Sequence, residues 1–265
     1  MRKLNVLLIV LVLGFSSCSD DDSKNVQADL QLKFINQVGD QELVLNTGTY
    51  NKNGNETIKV DELKYVVSNI QLTQENGNVF TYPVEESYFV INEEDEQSLS
   101  VDLSGIPAGD YNKISFGFGI DQSNYPLNGV DNFIPTAEEN GMLWAWAAGY
   151  KFLKFEGSYT AENENEFQNF IYHVGSHGEN LDNYKVVELD LGQSISLDQN
   201  EQSINIEMDV LKIFDADYQL NLADKDDIQV DPVNAPKIAE NVKRSFEIKS
   251  INSGSNNSDS DDSGY

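Results

Sequence analysis

Tyr65-Val66-Val67-Ser68-Asn69-Ile70-Gln71-Leu72, followed by Glu75-Asn76-Gly77-Asn78 and then Val79-Phe80-Thr81-Tyr82, is the stretch that decides the fold. Two runs rich in β-branched and aromatic residues flank a polar segment whose Asn-Gly pair suits the positive φ angles of a tight hairpin turn. The same grammar extends in both directions. Leu30, Leu32 and Phe34 alternate with polar residues, the period-two mark of a half-buried strand. Further strands are expected at 87–91, 99–103, 113–119, 151–159, 167–174, 185–191 and 203–208, with Ile106-Pro107-Ala108-Gly109-Asp110-Tyr111 turning the chain between two of them. Many short strands at this spacing predict a mostly β domain, an antiparallel β-sandwich or barrel-like fold with few short helices. Helix is expected only as one turn at 210–214 and at 236–246, where Ile238, Val242 and Phe246 recur at helical spacing behind a proline.

The two ends read differently from the middle. Arg2 and Lys3 precede the unbroken apolar run Val6–Leu13, too short to span a bilayer and right for a secretion signal. Gly14-Phe15-Ser16-Ser17-Cys18 then places small residues directly before a cysteine, as a lipoprotein signal peptidase requires. Residues 1–17 are read as a lipoprotein signal peptide, with Cys18 lipidated as the first residue of the mature chain. Residues 18–27 form an acidic, polar tether, and Ser19-Asp20-Asp21-Asp22 resembles the surface-export signal of Bacteroidetes lipoproteins. Localisation at the outer membrane is expected, on the periplasmic face or the cell surface. The domain runs over 28–250. Residues 251–265 hold Ser, Asn, Gly and Asp with too little apolar surface to offset ordering, and read as a disordered tail.

Composition removes several chemistries. Cys18 is the single cysteine of 265 residues, so once it is lipidated the domain has no disulfide, thiolate ligand or cysteine nucleophile. The formal charge is -28, which makes nucleic acid an unsuitable partner and leaves the lipid anchor as the link to a membrane. No Gly-x-Ser-x-Gly elbow and no complete phosphate loop occurs. Asn51-Lys52-Asn53-Gly54-Asn55-Glu56 is polar enough for Ca²⁺ but reads first as a loop.

Two stretches carry candidate chemistry. Gly141-Met142-Leu143-Trp144-Ala145-Trp146-Ala147-Ala148-Gly149-Tyr150-Lys151-Phe152 holds both tryptophans. Extended, Met142, Trp144, Trp146, Tyr150 and Phe152 share a face; helical, Met142, Trp146 and Tyr150 align, and periodicity alone leaves both open. A core stripe is the first reading of so many aromatics. Phe170-Ile171-Tyr172-His173-Val174-Gly175-Ser176-His177 contains both histidines. His173 closes an apolar strand and His177 sits in a Gly/Ser loop. Imidazole is a common metal ligand and thioether is soft, so His173, His177 and Met142 are candidate copper ligands, beside the more usual role of a histidine as a hydrogen-bonded structural residue.

Met142-x-Trp144-x-Trp146, Gly149-Tyr150-Lys151-Phe152, Glu156-Gly157, Tyr172-His173-Val174-Gly175 and Tyr65-x-x-Ser68-Asn69-Ile70 together resemble the signature of the MbnP-like copper-binding domain family. Pro107-Ala108-Gly109-Asp110-Tyr111 and Asp209-Val210-Leu211 fall in the same order, so the resemblance covers roughly 28–215. It implies a β-rich envelope domain that binds copper, Cu(I) or Cu(II), with His173 as the leading ligand. It implies that Trp144 or Trp146 is oxidised to kynurenine or walls the site, with a dihaem enzyme of the cytochrome-peroxidase type as the partner that oxidises it. Some relatives carry a histidine at the position of Trp146, and His177 is the residue that would compensate. The expectation is a non-catalytic, lipid-anchored copper-binding protein for metal acquisition or sequestration. The alternative is a surface glycan-binding lipoprotein that stacks sugars on exposed tryptophans.

Overall fold

The computed structural model describes residues 26–52, 55–121, 132–144, 149–161, 164, 166–176, 181–198 and 200–253. In chain order its strands are β1 (Gln27–Val38), β2 (Gln41–Glu42), β3 (Tyr50–Lys52), β4 (Glu56–Gln74), β5 (Val79–Thr81), β6 (Tyr88–Asn92), β7 (Ser100–Pro107), β8 (Gly109–Phe118), β9 (Lys151–Thr160), β10 (Gln168–Gly175), β11 (Lys185–Leu197), β12 (Gln202–Asp209), β13 (Asp227–Ile228) and β14 (Phe246–Ser253). Two helices accompany them among the described residues, α1 (Ile134–Glu139) and α2 (Ala235–Lys243). None of the described helices is long and apolar enough to cross a membrane.

The expected hairpin forms. β5 pairs antiparallel with β4, Gly77 takes a φ of +85°, and the Gln74 N–H donates to the Asn78 carbonyl at 2.8 Å. β4 is longer than the sequence predicted, beginning at Glu56, because Ile58, Val60 and Leu63 already face the interior. It is the organising strand of a nine-stranded sheet ordered β11-β8-β4-β9-β10-β13, with β3, β5 and β6 also paired to it. The second sheet has five strands, β14-β12-β1-β2, with β7 also on β1.

The two sheets share one hydrophobic core. On β1 every second residue is buried from Ala28 to Val38, and Phe34 meets Tyr65 of β4 at 6.2 Å and Phe116 of β8 at 5.9 Å, edge to face. Phe246 of β14 closes the same cluster against Tyr65 and Phe116 at 5.7 and 5.2 Å. Burial of this many aromatics supplies the main favourable term for folding in a domain without disulfides.

Several sequence expectations change. The pairing is mainly antiparallel, but β1–β12 and β10–β13 are parallel, which only non-local connections can bring about. The helix expected at 236–246 ends at Lys243, and Phe246 opens β14, a strand the sequence did not announce. Ile251, Asn252 and Ser253, assigned to the tail, belong to this strand and pair with β12. β14 is an edge strand with charges at Glu247 and Lys249, so its hydrophobic pattern is weak and its order comes from its partner. The turn at Val210–Ile213 is present, capped by Asp209, whose carboxylate accepts the Leu211 N–H at 3.0 Å. The polar stretch around Lys52 and Glu56 joins β3 to β4. Its two charged side chains form a buried pair at 2.6 Å.

Candidate metal centre

β9 and β10 run antiparallel with Tyr172 opposite Phe155 and His173 opposite Lys154. Phe170, Tyr172 and Val174 are buried and face the core, where Phe170 and Tyr172 meet Phe214 at 6.0 and 5.8 Å. Side chains alternate across a strand, so His173 projects from the opposite face. The alternation on β9 sends Lys154 and Glu156 to that same face, and Glu62 and Lys64 join them from β4.

Ordinarily this face would be open to water. Over His173 it is covered by the segment after α1. The Met142 N–H donates to the Ala137 carbonyl at 2.7 Å, Leu143 bridges Tyr150, and the Trp144 N–H donates to the Gly149 carbonyl at 3.0 Å. The Lys151 N–H returns to the Met142 carbonyl at 2.7 Å. The segment is thus an extended hairpin, and of the two conformations the sequence left open the extended one is observed for 142–144. It lays the Trp144 ring beside His173, with ring centroids 6.0 Å apart at 61°.

The expected core stripe divides. Met142, Tyr150 and Phe152 belong to the hydrophobic core, whereas Trp144, though only 3% exposed, stands apart from that cluster. Gly175 explains how the indole gets so close to β10. A Cβ there would fall 2.3 Å from the Tyr150 carbonyl oxygen, 3.1 Å from Trp144 Nε1 and 3.2 Å from Lys151 Cα. The absence of a side chain is the condition for this contact.

His173 is 9% exposed. Its Nε2 lies 2.7 Å from Glu156 Oε1, and its Nδ1 is buried without a hydrogen-bond partner among the described residues. Burial pushes the imidazole below the usual histidine range, outweighing the hydrogen bond to Glu156, and the nearby Lys151 and Lys154 act in the same direction as burial. Neutral imidazole, the metal-binding form, is therefore favoured.

Around it runs a chain of charges. Glu156 Oε1 is 3.5 Å from Lys154 Nζ, which reaches Glu62 at 2.5 Å, and Glu62 also takes Lys64 at 2.6 Å. Burial works against the charged form of Lys154, but the hydrogen bond to Glu62 prevails and holds it above the ordinary lysine value. Lys151 is lowered, by burial and by Lys154. Its Nζ sits 5.3 Å from the Trp144 ring centroid and donates to the Gly141 carbonyl at 2.9 Å.

Of the residues expected from sequence, His173 and Trp144 come together. Met142 is fully buried among core residues. Trp146, His177 and Cys18 lie outside the described residues. Lys151 and Glu156 were quoted from sequence only as members of the family motifs, without a part in the site, and Lys154 was not singled out. The signal available was alternation in Lys154-Phe155-Glu156-Gly157, which puts two charges on the face that carries His173. Among the described residues no group of three or more His, Cys, Asp or Glu is gathered as a metal cluster. What they do provide suits a nitrogen-binding metal: one imidazole with a free, buried nitrogen, a carboxylate behind it and an aromatic wall beside it. As for the glycan alternative, Trp144 offers no exposed stacking platform.

A family model described as MbnP matches residues 27–234. Among solved structures the chain is similar to MbnP from Methylosinus trichosporium, with 13% identity and a TM-score of 0.52, over 86% of this chain and 99% of that one. No curated protein matches the chain. At that identity the structural likeness speaks for a shared fold, while the family model covers most of the sequence, including β9, β10 and the Trp144 segment that build the site. The chain belongs to the MbnP family.

Proposed function

We propose that this chain is a non-catalytic, lipid-anchored copper-binding protein of the bacterial envelope, serving metal acquisition or sequestration. The observation that carries the reading is the buried Nδ1 of His173 beside Trp144, which has no hydrogen-bond partner among the described residues, at the place where the family motifs converge. A buried polar atom left without a hydrogen bond is costly, and a nitrogen lone pair kept free is what a copper ion requires. Cys18 would fix the protein to the outer membrane, with the acidic tether holding the domain off the surface.

His173 is the ligand from the described residues, and His177 and Trp146 are the candidates to complete the set. Intact indole offers an N–H donor and a π face, whereas kynurenine adds an aniline nitrogen and a ketone. Trp144 is the described tryptophan that stands beside His173, so oxidative cleavage of its indole C2–C3 bond by a dihaem partner, with O2 or peroxide as the oxidant and C2 released as formate on hydrolysis, would add a donor next to the imidazole. Copper supplies only coordination in this reading, and the protein's own residues hold and shield the imidazole.

Titration of the purified protein with Cu(I) against a chromophoric chelator tests the proposal. Binding should be lost or weakened at least tenfold in His173→Ala; equal binding by the variant would reject the site. Intact-mass measurement of protein from the native host reads the lipid on Cys18 and any oxidised tryptophan in one spectrum.

A further inference from the structure

The two nitrogens of His173 face different surroundings. Nε2 points at Glu156 Oε1, 2.7 Å away, and Nδ1 is buried with no hydrogen-bond partner among the described residues. A carboxylate can only accept, so the nitrogen that faces it must carry the hydrogen. In the neutral ring that leaves the lone pair on Nδ1. Glu156 is itself braced, with Lys154 Nζ at 3.5 Å and Lys154 tied in turn to Glu62. Gly175, without a side chain, lets the Trp144 indole approach β10 closely beside His173.

We infer that Glu156 is the positioning residue of this site, taking the Nε2–H of His173 and thereby presenting Nδ1 as the nitrogen that meets the metal. The inference rests on the copper reading of His173 but assigns what that reading leaves open: the ligating atom and the residue that selects it. A carboxylate on the far nitrogen of a ligating imidazole fixes its tautomer and orientation and raises its basicity. The opposite tautomer would point a lone pair at a carboxylate and bury an N–H without an acceptor, so it is disfavoured at both nitrogens.

The test uses the full mature chain labelled with ¹⁵N, free of metal. Having only two histidines, it gives a long-range ¹H–¹⁵N imidazole spectrum that His177→Ala assigns directly. The expected result is an Nε2–H pattern for His173 at neutral pH; an Nδ1–H pattern overturns the inference without any variant of Glu156. In Glu156→Gln the Nδ1–H form should rise and Cu(I) affinity should fall about 10- to 100-fold, with Glu156→Asp recovering part of both. Should Glu156→Gln keep the wild-type tautomer and affinity, Glu156 has no positioning role even though copper binds. Should the tautomer shift as expected while the wild type takes up no Cu(I), the positioning stands and the copper reading fails. If Glu156→Gln does not fold, Glu156→Asp and the wild-type tautomer decide.

Discussion

Replacing Gly175 by alanine probes the contact on which the site depends. The added Cβ would lie 2.3 Å from the Tyr150 carbonyl oxygen and 3.2 Å from Lys151 Cα, both backbone atoms, and 3.1 Å from Trp144 Nε1. Ordinary contact begins near 3.4 Å, so the hairpin carrying Trp144 must lift from β10 by about 1 Å. Overpacking of this kind costs about 1–3 kcal/mol. For a domain of this size each kcal/mol lowers Tm by roughly 2–4 °C, so a fall between about 2 and 12 °C is expected. Gly157→Ala is the matched control. Its Cβ would meet the Lys59 carbonyl oxygen at 2.1 Å and the Phe170 ring at 2.8 Å, on the core side of the same sheet. Both variants should lose stability, read by circular dichroism. Only Gly175→Ala should raise acrylamide quenching of Trp144, measured in a Trp146→Phe background well below either Tm. Wild-type Tm and quenching in Gly175→Ala, or equal quenching in both variants, would refute the packing of Trp144 on β10.

Other perturbations test separate parts of the fold. Glu56→Gln removes the charge that holds Lys52 at 2.6 Å and accepts the backbone N–H groups of Leu222 and Ala223 at 3.1 and 2.8 Å. Breaking a buried pair with side chains 2% and 3% exposed should cost about 3–5 kcal/mol in urea unfolding, and an unchanged midpoint would contradict it. Burial holds Glu93 above its ordinary carboxylate range, with the Asn36 hydrogen bond opposing and Glu42 reinforcing the rise. A carboxyl whose folded pKa is raised stabilises the fold below the unfolded pKa, and that contribution is lost as pH rises through the folded pKa. Glu93→Gln should therefore melt higher than wild type at pH 7, with the difference shrinking as pH falls toward 4.5. A wild type that melts higher than the variant at pH 7 would show the sign to be wrong.

Much of the architecture was legible because its signals are local. The Asn76-Gly77 turn and the alternation in β1 act over a few residues, so reading them needs no partner strand. β14 was missed because its order comes from β12 and from the insertion of Phe246 between Tyr65 and Phe116, contacts that span most of the chain. The site shows the same division. The block of two tryptophans and the pair of histidines could be singled out from residue type, but Glu156 entered only as part of a motif, with nothing in the sequence to place it on His173.

By itself, then, the sequence determined a β-rich domain, a stretch from 28 to 250 that contains no cysteine, and a short catalogue of imidazole and indole groups. The tertiary structure alone decided that Trp144 leaves the core to cover His173, that Glu156 occupies Nε2, and that Nδ1 has no hydrogen-bond partner among the described residues. Glu156 and His173 are 17 residues apart and meet through the register of β9 on β10, which shifts between Val174 and Gly175. Register is a property of paired strands, and a change of one residue would turn His173 into the core and its neighbours out. No local pattern carries that information.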